Sequence, residues 1–304
     1  MTNVFIDGNS GTTGLRIRER LVNRKDISII SLPEEIRHDT AARLDAIDRA
    51  DIAILCLPDS AASEIAEVAS DDTVIIDTSS AHRVSDGWIY GFPELSYDAR
   101  EAIRSSRRIS NPGCHASGFI AAVYPIVNAG LIPNDIPISA YSLTGYSGGG
   151  KNMIAEYTSD DRDSAHESCR IYATGLCHKH LPEMQKLCSL TVPPLFSPIV
   201  GDYFAGMATC VFLPGCGAST VRRCLAEHYS ESVLISVDDG ECDSSIVYSS
   251  EMAGRDSMKL TVGGTDDRAI IIARFDNLGK GASGAAIQNM NIVMGAPEYE
   301  GLVI

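Results

Sequence analysis

The chain has 304 residues, 44% of them hydrophobic, enough for one large core or two smaller ones, and 40 acidic against 25 basic residues give a net charge of −15. That charge, with no Lys/Arg block, argues against nucleic acid and anionic membrane as partners. No apolar run of about 18 residues and no charged-then-apolar leader occurs, and nine scattered cysteines without CxxC pairs suggest a reduced, cytoplasmic protein.

In chain order, "NVFIDG" (3–8) reads as a strand closed by glycine, and Leu15, Ile17, Leu21 and Val22 repeat at helical spacing. "ISIISL" (27–32) and "IAILCLP" (52–58) predict further strands, "AASEIAEVAS" (61–70) a helix, and "TVIIDTS" (73–79) another strand. Apolar strands alternating with helices imply βαβ units and a parallel sheet. At the first strand-to-helix turn stands "GNSGTTG", with Gly8, Gly11 and Gly14. Glycines there let backbone approach a pyrophosphate at a helix N-terminus. The spacing is G-x-x-G-x-x-G rather than G-x-G-x-x-G, so a plain tight turn is the other reading. Glu34, placed near the end of the second strand, suits the ribose of NAD, whereas Arg37 and His38 right after it suit a 2′-phosphate.

"SNPGCHASGFIAAVYPIV" (110–127) puts Cys114 after a Pro-Gly turn and at the start of a helix, where the positive end of the helix favours a thiolate. The alternative is a small packed hydrophobe, which is also the reading for the other eight cysteines. A thiolate beside a nicotinamide implies attack on an acyl donor, a thioester, and hydride transfer to give an aldehyde. Such chemistry needs a proton donor near neutrality, and "GLCHKHLPEM" (175–184) offers His178 and His180. In an extended arrangement these two would share a face roughly 7 Å apart. They also read as surface histidines or, with Cys177, as a zinc site, although no second ligand pair accompanies them and no metal is expected. "LTGYSGGGKN" (143–152) carries Gly145, Ser147 and Gly149, which match a hydrolase nucleophile elbow. With Lys151 the same glycines suit a phosphate cradle, and the upstream cofactor-like unit favours the cradle. "KLTVGG" (259–264) and "RAIIIARFDN" (268–277) alternate like antiparallel strands.

Taken together, "GNSGTTG", "IDTSSAHRVSDGWIYGFPEL" (76–95), "SNPGCHASG", "TGYSGGGK", "HKHLPEM" and "DNLGKGASGAAIQNMN" (276–291) run in order along the chain. They resemble the short form of the N-acetyl-gamma-glutamyl-phosphate reductases, in the semialdehyde dehydrogenase superfamily. The resemblance implies NADPH-dependent reduction of N-acetylglutamyl 5-phosphate to the 5-semialdehyde and phosphate, in arginine biosynthesis, through a thioester on Cys114 with His180 as acid/base. It implies substrate contacts from Asn111, His178, Ser147, Lys151 and Glu183. For NADP it implies Gly8, Ser10, Gly11, Thr12, Thr13 and Gly14, then Arg37, Leu57 and Pro58, and Ser147, Gly148 and Asn277. The fold it implies is α/β: a Rossmann-like parallel-sheet domain (1–113 and 281–304) and an α+β substrate and dimerisation domain with a mixed sheet (114–280), in a homodimer or homotetramer. An aspartate-semialdehyde dehydrogenase and, less readily, a serine hydrolase using Ser147 are the alternatives.

Overall fold

The computed structural model describes residues 1–240 and 246–304. Two compact units emerge, Met1–Pro112 with Ala282–Leu302, and Gly113–Gly281 with Val303–Ile304. Gly113 falls to the second unit, where its N–H donates to Glu183. Val303 falls there because its N–H donates to Asp256.

The first unit opens with β1 (Thr2–Asp7), α1 (Thr12–Leu21), β2 (Ile27–Ile30), α2 (Thr40–Asp48), β3 (Ile52–Leu55), α3 (Asp59–Val68) and β4 (Val74–Asp77). β5 (Ile89–Tyr90), α4 (Tyr97–Ser105) and β6 (Arg108–Ser110) follow. The strands pair in parallel in the order β2-β1-β3-β4-β6-β5. Successive residues of a strand face opposite sides, so each apolar strand fills two cores. Val4, Ile6, Ile52, Ile54 and Ile76 meet Ile17 and Leu21 of α1 on one side, while Phe5, Ala53, Leu55 and Ile75 meet Ile47 and Ile65 on the other. Each fully buried aliphatic side chain here contributes roughly 1.5–3 kcal/mol. The first core also takes Ala286, Ile287, Met290 and Ile292 from the C-terminal helix.

In the second unit come α5 (Cys114–Asn128), β7 (Ser139–Gly145), α6 (Gly150–Thr158), β8 (Arg170–Ile171) and α7 (Leu181–Leu187). They are followed by β9 (Leu195–Gly201), β10 (Met207–Pro214), α8 (Ala218–His228), β11 (Ile235–Val237), β12 (Met258–Gly264) and β13 (Arg268–Phe275), and α9 (Gly284–Met294) then returns to the first unit. Among the described residues the second sheet runs β11-β12-β13-β10-β7-β9-β8. It is mixed: β11–β12 and β7–β9 are parallel, the rest antiparallel. α5 contains Pro125, which removes the N–H that would serve the Ala121 carbonyl. Tyr229 Oη donates to that carbonyl at 2.8 Å instead. Among the described residues no helix is long and apolar enough to cross a membrane.

Candidate active site

The glycine turn follows β1 at the edge where the strand order reverses, between β1 and β3, the crevice in which open parallel sheets bind ligands. Gly8 has φ +83°, and a Cβ there would stand 2.2 Å from the Cys56 carbonyl oxygen; one on Gly14 would stand 2.5 Å from the Gly8 oxygen. Only glycine fits either place. Ser10 lies in the turn, Gly11 is the N-cap of α1 and contributes no side-chain cap, and Thr12 and Thr13 open the helix. Leu57 and Pro58 lead from β3 into α3 at the same edge. The turn therefore fits a dinucleotide's pyrophosphate: bare backbone and a helix N-terminus face one crevice.

Glu34 is not at a strand end. β2 stops at Ile30, and Glu34 opens a 3₁₀ turn, Glu34–Ile36, where it pairs with Arg37 at 3.4 Å. Arg37 Nε donates to His38 Nε2 at 3.2 Å, and Arg43 Nη2 lies 3.4 Å from His38 Nδ1. Arg43 also donates to the Arg37 carbonyl at 2.9 Å and sits 3.4 Å from Asp7, whose carboxyl is pushed up by burial against the pull of Arg43. Arg43 was missed from sequence, since nothing in the spacing shows that α2 brings it back over Arg37.

In the second unit Cys114 is the first residue of α5, half-exposed, with Gly113 as N-cap. One Glu183 oxygen accepts the Gly113 N–H at 3.0 Å, so α7 fixes the turn that presents the thiol. A Cβ on Gly281 would lie 3.0 Å from Cys114 Cβ and 3.1 Å from the Asp276 oxygen, so the chain at 281 passes against the cysteine with no room for a side chain. Behind the thiol, the His115 ring lies 5.3 Å from that of His178 and 5.7 Å from that of His180, with Phe196 at 5.4 Å. His115 Nε2 is 2.8 Å from Tyr172 Oη. His115 and Tyr172 were also missed from sequence; the helix start that singles out Cys114 says nothing of its neighbour.

The extended arrangement expected for His178 and His180 is corrected. His180 is the N-cap of α7 in right-handed helical conformation, and its N–H donates to His178 Nδ1 at 3.1 Å. The two rings meet edge to face with centroids 4.7 Å apart rather than roughly 7 Å. His180 is buried and His178 half-buried, so neither is a solvated surface histidine. Among the described residues no group of three or more His, Cys, Asp or Glu is placed to hold a metal ion.

Ser147 lies in the 3₁₀ turn Tyr146–Gly149 after β7 and is buried. Asn277 Nδ2 donates to its Oγ at 2.9 Å, and Asn277 Oδ1 accepts the Gly206 N–H at 2.9 Å. An amide donor cannot take a proton from serine, so this pairing is not that of a hydrolase nucleophile. Gly148 lies over the same Asn277, and Lys151 is exposed on the first turn of α6. In the first unit Asn111 is buried; its Nδ2 donates to the Ala282 carbonyl at 3.0 Å and its N–H to the Asp77 carbonyl at 2.7 Å.

Burial of the other cysteines is partly corrected. Cys188, Cys210 and Cys216 are buried, and burial pushes the half-buried Cys56 thiol up to about 12. Cys169 and Cys177 are exposed, Cys169 ahead of the two-residue strand β8 and Cys177 in the turn before His178; Cys242 lies outside the described residues.

Residues 3–105 match the family model described as the semialdehyde dehydrogenase NAD binding domain, and residues 114–277 the one described as its dimerisation domain. An N-acetyl-gamma-glutamyl-phosphate reductase of Sinorhizobium fredii is 43% identical over 96% of this chain and 99% of its own. One of Brucella anthropi is 45% identical over 96% and 98%. Among solved structures, aspartate semialdehyde dehydrogenase II of Vibrio cholerae superposes with a TM-score of 0.74 at 18% identity, covering 97% of this chain and 99% of that one; this shows a shared fold.

Proposed function

We propose, since this chain belongs to the N-acetyl-gamma-glutamyl-phosphate reductase family of semialdehyde dehydrogenases, that it reduces N-acetyl-L-glutamyl 5-phosphate to the 5-semialdehyde and phosphate. The observation that carries this reading is the setting of Cys114: first in its helix, with the preceding residue bonded to Glu183 and the following ring against His178 and His180. The helix terminus favours the thiolate. Its sulfur attacks the acyl carbon, the C–O bond to phosphate breaks, and phosphate leaves a thioester on Cys114. Bound NADPH supplies the hydride that reduces the thioester carbon. His180 exchanges a proton with the acyl oxygen, and Cys114 is released as the aldehyde forms. His178, whose Nδ1 accepts the His180 N–H, offers Nε2–H to the phosphoryl group, and Lys151 supplies a cation. Asn111, Ser147 and Glu183 support their loops around the acyl chain.

The residues of the first unit that would hold NADP are Gly8, Ser10, Gly11, Thr12, Thr13, Gly14, Leu57 and Pro58, with Arg37 at the 2′-phosphate. The Arg37–Glu34 pair is exposed and therefore weak, which leaves the guanidinium available to a phosphate. Arg37→Ala should weaken NADP binding about tenfold while leaving NAD within about twofold, read by titrating each dinucleotide. An unchanged NADP/NAD ratio would remove Arg37 from the site.

A homodimer is supported by the description of the second family model and by the open face of the second sheet, with a homotetramer as the larger assembly. On that face Tyr141, Leu143, Ile199, Phe212, Ile270 and Ile272 stand half-buried or exposed across paired strands. The test of the substrate is a panel with NADP and phosphate. The acetylated five-carbon semialdehyde should exceed aspartate semialdehyde in kcat/KM by at least about a hundredfold, because a site built around an acyl-amide loses its hydrogen bonds to a substrate lacking it. Equal values would make the chain another semialdehyde dehydrogenase.

A further inference from the structure

We propose that His82 is a further cofactor-binding residue, whose Nε2 accepts a hydrogen bond from the nicotinamide half of NADP, and that Asp77 is the residue that positions it. The proposal rests on the reading of the glycine turn as a dinucleotide site and concerns the first unit alone. Asp77 ends β4 and is fully buried. A buried carboxylate is costly unless its oxygens accept hydrogen bonds. The Ser79 N–H donates to Oδ1 at 2.9 Å and Ser79 Oγ to Oδ2 at 2.7 Å. His82 Nδ1 completes the set, 2.6 Å from Oδ2. A carboxylate only accepts, so the proton of this contact is on Nδ1 and, in the neutral ring, Nε2 carries the lone pair. The ring plane is fixed as well. Trp88, the one tryptophan of the chain, stacks on His82 with centroids 4.0 Å apart and planes 13° apart, and itself packs against the core of Phe5, Ala53 and Leu55. A carboxylate on one nitrogen and an indole on one face leave Nε2 a single direction. Among the described residues that nitrogen has no hydrogen-bond partner, and the ring is partly open to solvent.

The loop that carries both rings is tied to the carboxyl ends of the strands. The Thr78 N–H and Oγ1 both donate to the Leu55 carbonyl of β3 at 2.9 Å. The Ser80 N–H and Oγ donate to Asp59, the first residue of α3, at 2.9 and 2.5 Å. Arg83 Nε donates to the Asn111 carbonyl beyond β6 at 3.0 Å, and its Nη2 to the Thr78 carbonyl at 3.2 Å. The loop therefore joins the ends of β3, β4 and β6, next to Leu57 and Pro58 and to the segment that leads toward Cys114. A dinucleotide on this sheet has a direction. Its pyrophosphate lies at the turn after β1 and its adenosine end, with Arg37, on the side of β2. The nicotinamide half then runs the other way along the order β1-β3-β4-β6, and His82 is held where that half arrives. The carboxamide and the ribose hydroxyls of that half are donors, and an acceptor already locked in place binds them at little cost in ordering.

The test is calorimetric titration of the full chain with oxidised NADP and with adenosine 2′,5′-bisphosphate, which keeps the 2′-phosphate and lacks the nicotinamide half. The emission of Trp88 is followed alongside. In the parent both ligands should bind, and NADP alone should change the emission. His82→Phe keeps a ring on the indole and removes Nε2; it should raise the Kd of NADP about threefold to tenfold and leave that of the bisphosphate within about twofold. His82→Gln, whose amide oxygen reaches the place of Nε2, should recover most of the affinity. Asp77→Asn should weaken NADP as His82→Phe does, because an amide that donates to Nδ1 moves the ring proton to Nε2 and removes the lone pair. If that variant does not fold, His82→Phe and His82→Gln decide on the same readout. The acetylpyridine analogue of NADP, which has no amide N–H, identifies the donor. Equal binding to the parent and to His82→Phe assigns the carboxamide, and the same loss as with NADP assigns a ribose hydroxyl. A Kd of NADP unmoved in His82→Phe, or raised equally for both ligands, overturns the contact and leaves the pair as packing; so does NADP that binds the parent without changing the emission. A parent that binds neither ligand overturns the dinucleotide reading instead, and is seen before any variant is made.

Discussion

Cys114→Ser should reduce phosphate-dependent oxidation of N-acetylglutamate 5-semialdehyde by at least about three orders of magnitude, because a neutral hydroxyl lacks the nucleophilicity of a thiolate at pH 7. The substitution changes one atom on a half-exposed side chain, and the close contact of Cys114 with Gly281 is made through Cβ, which serine keeps. The melting temperature should therefore move by no more than a few degrees, and NADP titration should be unchanged. Activity above about a tenth of the parent would make Cys114 a packed thiol after all.

His180→Asn should lower kcat by about 10²- to 10⁴-fold and flatten its pH profile, the range for loss of a positioned general acid or base. The comparison that gives this meaning is His178→Asn. Asparagine places an oxygen near the position of Nδ1, so it can still accept the His180 N–H, while the far nitrogen of the ring is gone. That variant should mainly raise the KM for phosphate, with kcat within about fivefold. A large kcat loss in His178→Asn with none in His180→Asn would exchange the roles. Loss in neither would place the proton donor outside this loop.

The parts of the molecule legible from sequence are those whose cause is local. Apolar runs of β-branched residues mark β1 to β4, glycines forced by close backbone approach mark the turn after β1, and a Pro-Gly turn followed by helical spacing marks the start of α5. α2 and α4 were overlooked although each has a local signal, the Asp39 side chain capping Ala42 and Ser96 capping Ala99. Their apolar faces are too short to show a period. What no local pattern could give is contact across the chain. Asn277 meets Ser147 from 130 residues away, and Glu183 meets Gly113 from 70. The histidine pair failed for another reason: Pro182 lies in the first turn of α7, so His180, two residues ahead of it, is the helix cap and the period of a strand never applied to it.

The return of α9 to the first unit has a bearing on how the chain folds as it is made. As the nascent chain leaves the ribosome, β1 to β6 emerge first, yet the core they build lacks Ala286, Ile287, Met290 and Ile292 until nearly the whole polypeptide is out. All but the last two residues of the second unit are synthesised before that helix. The later-encoded unit is thus able to close ahead of the earlier one, and during that interval the parallel sheet carries an apolar side open to chaperones or to misassembly with its neighbours on the polysome.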